Sequence, residues 1–564
     1  MRRISTGNRI LLGLLCFVLA GYVLYPLAAT MRESLKVGGE FSLGQYLHLL
    51  DPANKGNMEA VWNSVAVSFL SVLASGIVGV LFAFVFTQFS FPLKGILSRV
   101  AILPIALPPL VGVISFLFIF GESGIIPRLL QGLVGAASPP IYLEGVSAIV
   151  AIHTYSFYVY YFLFVAAALR QLDGSILEAA AILGSRPWRT FWKIILPELR
   201  PALIGASILT FMASMASFSA PLLFAGEHRF ITLSIYTSKL NGELDFAAAQ
   251  SIMLTLVSVA FFIVMNVTSG PRLAFRRSKG AGRIRPLEVP QLVRGLLIAL
   301  AMVLLVIEVL PLATIILVSF AREGSWTWQL LPSAYTIDNY LRLLTDPGVF
   351  EPVGNSLIMS GLALLASLVI GVGGAVLIVK GGLGKSRFAL DLILTIPYAV
   401  PGTVVAISMI LAFGSPSLFS GGGVLVGTFW ILPLAYIVRT YPLLVRSTAA
   451  ALEQVDDSLM EAGETFGAGP WRRFRTIVLP LILPGITSGA VLAVIASLGE
   501  FVSSILLYTY ASRPISVEIL SQLRMFNFGS AAAYSVLLLI IILLVLLISR
   551  LVQRDRQGSV PLRG

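Results

Sequence analysis

Long, nearly uninterrupted apolar runs dominate this chain, and polar residues collect in short stretches between them. A helix needs about 20 apolar residues to cross the hydrocarbon core of a bilayer. About twelve runs reach that length: roughly 10–30, 60–88, 97–120, 142–169, 199–222 and 248–268, then 293–320, 355–380, 386–413, 422–446, 484–508 and 534–553. The runs are continuous and do not alternate, so helices are expected and not the short strands of a barrel. The first run follows Arg2, Arg3 and Arg9 and ends without a small-residue cleavage site, which predicts a retained anchor. The expected fold class is an all-α membrane protein.

Two polar stretches interrupt this pattern in the same way. The first is Glu178-Ala-Ala-Ala-Ile-Leu-Gly184-Ser-Arg-Pro187-Trp188-Arg189-Thr-Phe191-Trp-Lys-Ile194-Ile-Leu196-Pro197. The second is Glu461-Ala-Gly-Glu-Thr-Phe-Gly467-Ala-Gly-Pro470-Trp471-Arg472-Arg-Phe474-Arg-Thr-Ile477-Val-Leu479-Pro480, at a fixed separation (461 − 178 = 283). The duplication extends further. Asn63-Ser64 answers Asn355-Ser356 (355 − 63 = 292), and Pro104 and Pro108 answer Pro397 and Pro401 (397 − 104 = 293). Gln171 and Asp173 answer Gln454 and Asp456, while Pro201 answers Pro484. The drop in offset predicts a longer external loop near Gly121–Tyr142. The chain therefore divides into halves 1–282 and 283–564, with polar loops at about 173–201 and 456–484 and a basic linker at about 270–294. Six spans per half give both halves the same orientation, so they form parallel repeats with a pathway expected between them.

Local chemistry gives the repeated stretch a shape. Ser175 with Glu178, and Ser458 with Glu461, have the spacing of a capping box. Ala179, Ala180, Ala462 and Gly463 are small enough for another surface to approach closely. Gly184 and Gly467 are expected to stop the short helix, and Pro187 and Pro470 to start the next one. Trp188, Phe191 and Ile194 predict an apolar face lying on the bundle, with Arg186, Arg189 and Lys193 on its wetter side. The product is a helix–glycine–helix protrusion suited to docking something outside the bilayer.

Composition excludes a soluble globular protein: 57% of residues are hydrophobic, 12% are charged, and mean hydropathy is +0.92. The net charge of +12 reflects topology. With the N-terminus in the cytoplasm most Lys and Arg fall on that side, as the positive-inside rule requires. Both termini and both polar loops are then cytoplasmic, and no nucleic-acid partner is expected. The single cysteine, Cys16, and the scattered His48, His153 and His228 offer neither a disulfide nor metal-ligand spacing. Gly381-Gly-Leu-Gly-Lys385-Ser386 resembles the end of a phosphate-binding loop, but Val379 stands where that loop needs glycine. No catalytic site and no resident cofactor are expected.

Ionisable residues inside spans are functional candidates, and Glu308, Asp391, Arg439 and Glu500 are of this kind. Asp391 follows Arg387 by one helical turn and is expected to pair with it. Glu500-Phe501 answers Ser217-Phe218 (500 − 217 = 283), which makes these four residues candidate linings of the pathway. A buried structural hydrogen bond is the alternative role. The matched prolines read equally as hinges or as kinks.

The acid, small residues, glycine and distal Ile-x-Leu-Pro resemble the cytoplasmic "EAA" loop of permease subunits in bacterial ABC importers. Nearly the whole chain resembles the fused ferric-iron-type permeases, related to those for thiamine and 2-aminoethylphosphonate, with the MetI-like permease fold. The resemblance implies that the short helices dock in grooves of two copies of a separate ATPase, which binds ATP and Mg. Glu178, Ala179, Ala180, Gly184, Glu461, Ala462, Gly463 and Gly467 would then be the coupling residues, Gly463 departing from the usual alanine. It also implies an extracytoplasmic solute-binding protein, a multi-pass location in the bacterial inner membrane, and ferric iron as the first expectation for substrate. Thiamine and 2-aminoethylphosphonate are the near alternatives. An ion-coupled secondary transporter is the distant one; it would leave the paired loops unexplained.

Overall fold

The computed structural model describes residues 6–172, 174–269, 289–326, 329–384 and 386–557. Most of the linker expected at 270–294, together with Asp173 and Lys385, lies outside them. Among the described residues the only ladder is a two-residue hairpin, Lys36–Val37 against Glu40–Phe41; everything else of regular structure is helical.

Among the described residues ten helices are long and apolar enough to cross a membrane, and a bent pair raises the number to 11. They are Arg9–Ser34, Lys55–Gln88, Pro109–Val134, Gly145–Gln171, Trp188–Met215 and Leu244–Met265, then Gln291–Ser319, Pro347–Lys380, Pro470–Leu498 and Phe528–Leu551. The pair is Ser386–Ala399 with Gly402–Phe413, bent by 106°. Ile431–Leu452, which carries Arg439 and Arg446, takes the second-half position that Gly145–Gln171 takes in the first. Inside the predicted loop Gly121–Tyr142 an extra helix, Ile125–Val134, has formed.

Three boundaries depart from the hydropathy pattern, and backbone chemistry explains each. The third and ninth runs are broken, because proline lacks the N–H and clashes with the preceding turn. Pro108 and Pro401 instead become N-caps whose carbonyls accept from Gly112 (3.2 Å) and Val405 (3.0 Å). The fifth and eleventh spans begin earlier than expected, since the polar stretch runs straight into them through one π-helical turn each, Phe191–Ile195 and Phe474–Val478. These spans also end earlier, at Met215 and Leu498, so Ser217-Phe218 and Glu500-Phe501 sit in the break before short helices Ser219–Phe224 and Val502–Leu507.

Each half closes around a glycine contact. A Cβ on Gly79 would collide with the backbone of Tyr158, and one on Gly371 with Leu444, so only glycine lets these helices approach (371 − 79 = 292). The halves also grip one another reciprocally. Arg9–Ser34 packs on Gly402–Phe413, with a Thr30–Ser408 hydroxyl bond of 2.7 Å and Tyr22 donating to the Phe419 carbonyl at 2.9 Å. Gln291–Ser319 packs on Pro109–Phe120, and beyond it Trp326 meets Phe118 at 5.5 Å.

A further repeat lies on the side away from the polar stretches, where Tyr46-Leu-His-Leu-Leu50 answers Tyr340-Leu-Arg-Leu-Leu344. Helices Gly44–Leu50 and Asp338–Thr345 carry matched tyrosines (340 − 46 = 294): Tyr46 bonds Ser34 at 2.8 Å and Tyr340 bonds Ser319 at 2.6 Å.

Candidate functional site

The two polar stretches fold into matching elbows. The first is helix Gly174–Ile182 and the second Asp457–Thr465. Gly184 and Gly467 end them with φ of +71° and +74°, in the left-handed region that disfavours any Cβ-bearing residue. Six-residue closing bonds follow, Ser185 N–H to Ala180 O at 2.9 Å and Ala468 N–H to Gly463 O at 3.0 Å. This is the Schellman arrangement, which satisfies carbonyls the helix leaves open.

The start of each helix differs from expectation. Asp456 caps the second, accepting from the Ser458 N–H at 2.9 Å; this bond holds its carboxyl below the usual aspartate range. Ser458 therefore lies inside the first turn and is not the N-cap, because Asp456 two residues earlier is the better-placed acceptor, and Ser175 likewise lies within its helix, Gly174–Ile182.

Glu178, Ala179, Glu461 and Ala462 are exposed, while Ala180 is buried and Gly463 half-buried. A Cβ on Gly463 would lie 2.9 Å from the end of the Ile477 side chain, so an alanine here requires that side chain to shift. Leu183 and Phe466, equivalent residues at the tips, are 85% and 89% exposed. Together with Ile176 and Ala179, or Leu459 and Ala462, each forms an exposed apolar stripe at i, i+3 and i+7. Sequence reasoning overlooked Ile176, Leu183, Leu459 and Phe466, although their helical spacing was the available signal. The predicted apolar face is met in part: Phe191 packs on the bundle against Phe84 and Ile194 is half-buried, but Trp188 is not part of it. Trp188 is exposed and edges Trp192 at 5.4 Å, while Ile195 and Leu199 are the buried positions. The π-helical turn, with its extra residue, shifts the phase of the face.

Between the elbows' two halves lies a cavity of about 210 Å³. Tyr160, Leu209, Met212 and Ala216 line one wall, and Tyr398, Val400, Arg439, Ser497 and Glu500 the other. Beyond it, away from the elbows, Phe218 and Phe501 meet with ring centroids 5.9 Å apart, both buried. The expected quartet thus separates by role. Of the four, Glu500 alone lines the cavity; Phe218 and Phe501 follow the breaks beside it without lining it, and Ser217 lies next to the wall residue Ala216, its carbonyl accepting from Thr232.

The intramembrane charges pair in ways that spacing did not reveal. Arg439 Nε donates to Glu500 Oε2 at 2.6 Å, and its Nη1 to the Val400 carbonyl at 3.3 Å. Val400 sits in the break before Pro401, so the guanidinium satisfies a carbonyl that the broken helix leaves open. Glu500 Oε1 accepts from the Ser503 N–H at 2.9 Å. Asp391 pairs with Arg446 at 3.0 Å, whereas Arg387 turns to Glu453 at 3.4 Å; the expected Asp391–Arg387 pair is not formed. Helix Ser386–Ala399 packs on Ile431–Leu452, which brings the longer-range cation closer to Asp391. Among the described residues no group of three or more His, Cys, Asp or Glu could hold a metal ion.

A duplicated bundle of apolar helices, with a cavity between its halves and two projecting elbows, defines a membrane transport subunit. The chain belongs to the family described as "Binding-protein-dependent transport system inner membrane component", whose model matches residues 75–273 and again 367–557. It is 29% identical over 502 residues to the probable ABC transporter permease protein y4fN of Sinorhizobium fredii, covering 88% of this chain and 87% of that protein. To the putative ferric transport system permease protein FbpB 1 of Haemophilus influenzae it is 28% identical over 520 residues, 91% of this chain and 80% of the relative. The putative 2-aminoethylphosphonate transport system permease protein PhnU of Salmonella choleraesuis is 29% identical over 264 residues, 46% of this chain and 90% of its own length. The chain is accordingly a multi-pass inner-membrane permease of the ABC importer class, with the family motif present twice.

Proposed function

We propose that this permease presents its two elbows to two copies of a cytoplasmic ATPase and moves ferric iron inward by alternating access. The observation that carries the reading is the matched pair of exposed apolar stripes, each ended by a left-handed glycine. A short amphipathic helix with anchors at i, i+3 and i+7 suits a groove. ATP and Mg belong to the partner, and closure of its two copies draws the elbows, and with them the spans Trp188–Met215 and Pro470–Leu498, towards each other. Both chain termini and both elbows then face the cytoplasm. The coupling residues are Glu178, Ala179, Ala180 and Gly184 with Glu461, Ala462, Gly463 and Gly467, to which Leu183 and Phe466 are added. Each half, 1–282 and 283–564, supplies one socket.

Substrate arrives from an extracytoplasmic binding protein and enters when the Phe218–Phe501 contact opens. Cargo is read from the relatives. The ferric permease aligns along 91% of this chain, and 2-aminoethylphosphonate is the second reading, from the shorter match.

The test is purification of the tagged chain from cells that also express its ATPase and binding protein. The native chain should retain the ATPase and support uptake of radiolabelled iron. Gly184→Val with Gly467→Val should lose both, and retention of the ATPase and full uptake by that variant would contradict the proposal.

A further inference from the structure

The cavity between the halves has a chemical character of its own. Among the described residues Glu500 is its only lining carboxylate, and both oxygens are engaged, one by Arg439 and the other by the Ser503 N–H. Its backbone carbonyl is engaged as well, accepting from the Ser504 and Ser516 hydroxyls at 2.5 and 3.0 Å. Only 9% of its side chain is exposed, against 28% for Arg439. Arg439 spends Nε on Glu500 and one Nη1 hydrogen on Val400, and the guanidinium carries five N–H donors in all. Arg439 lines the cavity, and Tyr398, within electrostatic reach of the guanidinium, lines it too. From the opposite half comes Tyr160.

Resting on the permease reading above, we infer that this cavity recognises an oxyanion group, presented by Arg439, and does not recognise a bare metal cation. A trivalent or divalent cation needs several oxygen ligands, carboxylates foremost, and the cavity offers one carboxylate that is already neutralised. An oxyanion needs N–H and O–H donors in a fork, which arginine supplies in fixed geometry. Glu500 holds the guanidinium in place at Nε, and the N–H donors not spent on Glu500 and Val400 are left for the ligand. The oxyanion has two possible sources, a free tetrahedral anion or the organic ligand of a metal complex. Ferric iron would pass this point as such a complex, inside its anionic shell.

The experiment uses the full chain in lipid nanodiscs. Phenylglyoxal modification of Arg439 is followed by peptide mass spectrometry, with Arg446 as internal reference. Inorganic phosphate or 2-aminoethylphosphonate slowing modification of Arg439 at least threefold identifies a free oxyanion, and gallium(III) citrate alone doing so identifies a metal-borne one. Terbium(III), a trivalent ion that remains cationic, should leave the rate unchanged. The inference is overturned if Arg439 does not react, if none of the three oxyanion probes protects it, or if terbium shows tyrosine-sensitised emission that Glu500→Gln abolishes. Copurification of the ATPase, measured on the same preparation, separates the readings: docking without protection removes this inference and leaves the permease function standing.

Discussion

Gly184 and Gly467 adopt φ of +71° and +74°, and the tips beside them, Leu183 and Phe466, are exposed to nearly the same degree. At the cavity the two halves carry different chemistry. Glu500 stands where the first half has Ser217, and Arg439 where it has Ser156 (439 − 283 = 156). Phe218 and Phe501 remain alike and touch. The difference follows from what each region faces. On the proposed function, two copies of one ATPase impose the same surface on both elbows, whereas a single substrate between the halves imposes no such symmetry. The duplicated elbows have stayed alike while the cavity wall has diverged.

The largest effect expected from this contrast is at the elbows. A non-glycine residue in the left-handed region costs about 1–2 kcal/mol, and Cβ-branching worsens it. Gly184→Val and Gly467→Val should each weaken ATPase retention by roughly tenfold or more, to a similar extent. A large effect from only one of them would break the symmetry.

At the cavity the expected response is unequal. Arg439→Gln strands a buried carboxylate, a loss of about 3 kcal/mol, moderated by the partial exposure of Arg439. Glu500→Gln strands only a guanidinium that still reaches the cavity and Val400, so its thermal unfolding midpoint should fall less. Equal midpoints would show that the pair is symmetric in its burial energetics after all.

The phenylalanine contact should be worth about 1 kcal/mol. A double-mutant cycle of Phe218→Leu and Phe501→Leu, read by thermal unfolding, should return that coupling, and additivity would show that the rings do not meet in the membrane. The smallest effects concern how the elbows are tied down. Arg473 pairs with exposed Glu464 at 2.5 Å in the second elbow, while Thr190 bonds Ser185 at 3.0 Å in the first. Arg473→Ala should lower hydrogen-exchange protection of Asp457–Thr465 by about 0.5 kcal/mol and leave Gly174–Ile182 unchanged. The Asp456 cap is an acid-side feature. Its depressed pKa means the stabilisation is present above the ordinary aspartate value and fades as pH falls through the lowered one. Protection of this helix should decline only in strong acid.

Much of this architecture was legible in the sequence because duplication writes it twice. The offsets of 292 and 283 gave the halves, the glycine stops and the matched proline breaks before any packing was known. What stayed hidden depends on backbone geometry that hydropathy does not encode. The π-helical turns at Phe191–Ile195 and Phe474–Val478 rotated the expected apolar face and merged elbow with span. Arg439 and Glu500 are 61 residues apart, and their pairing follows from the packing of helix Ile431–Leu452 on Leu479–Leu498, which no periodicity shows. The tyrosine pair Tyr46 and Tyr340 was missed because its helices are short and lie between strong apolar signals.

Two equivalent sockets on one chain are tested most directly by cross-linking at the tips. In a Cys16→Ser background, Leu183→Cys and Phe466→Cys are introduced separately and together, and the complex with its ATPase is treated with a short thiol cross-linker and weighed by native mass spectrometry. The prediction is one ATPase captured by either single variant and two by the double variant. A double variant that captures only one ATPase, or none while the complex is intact, would contradict it.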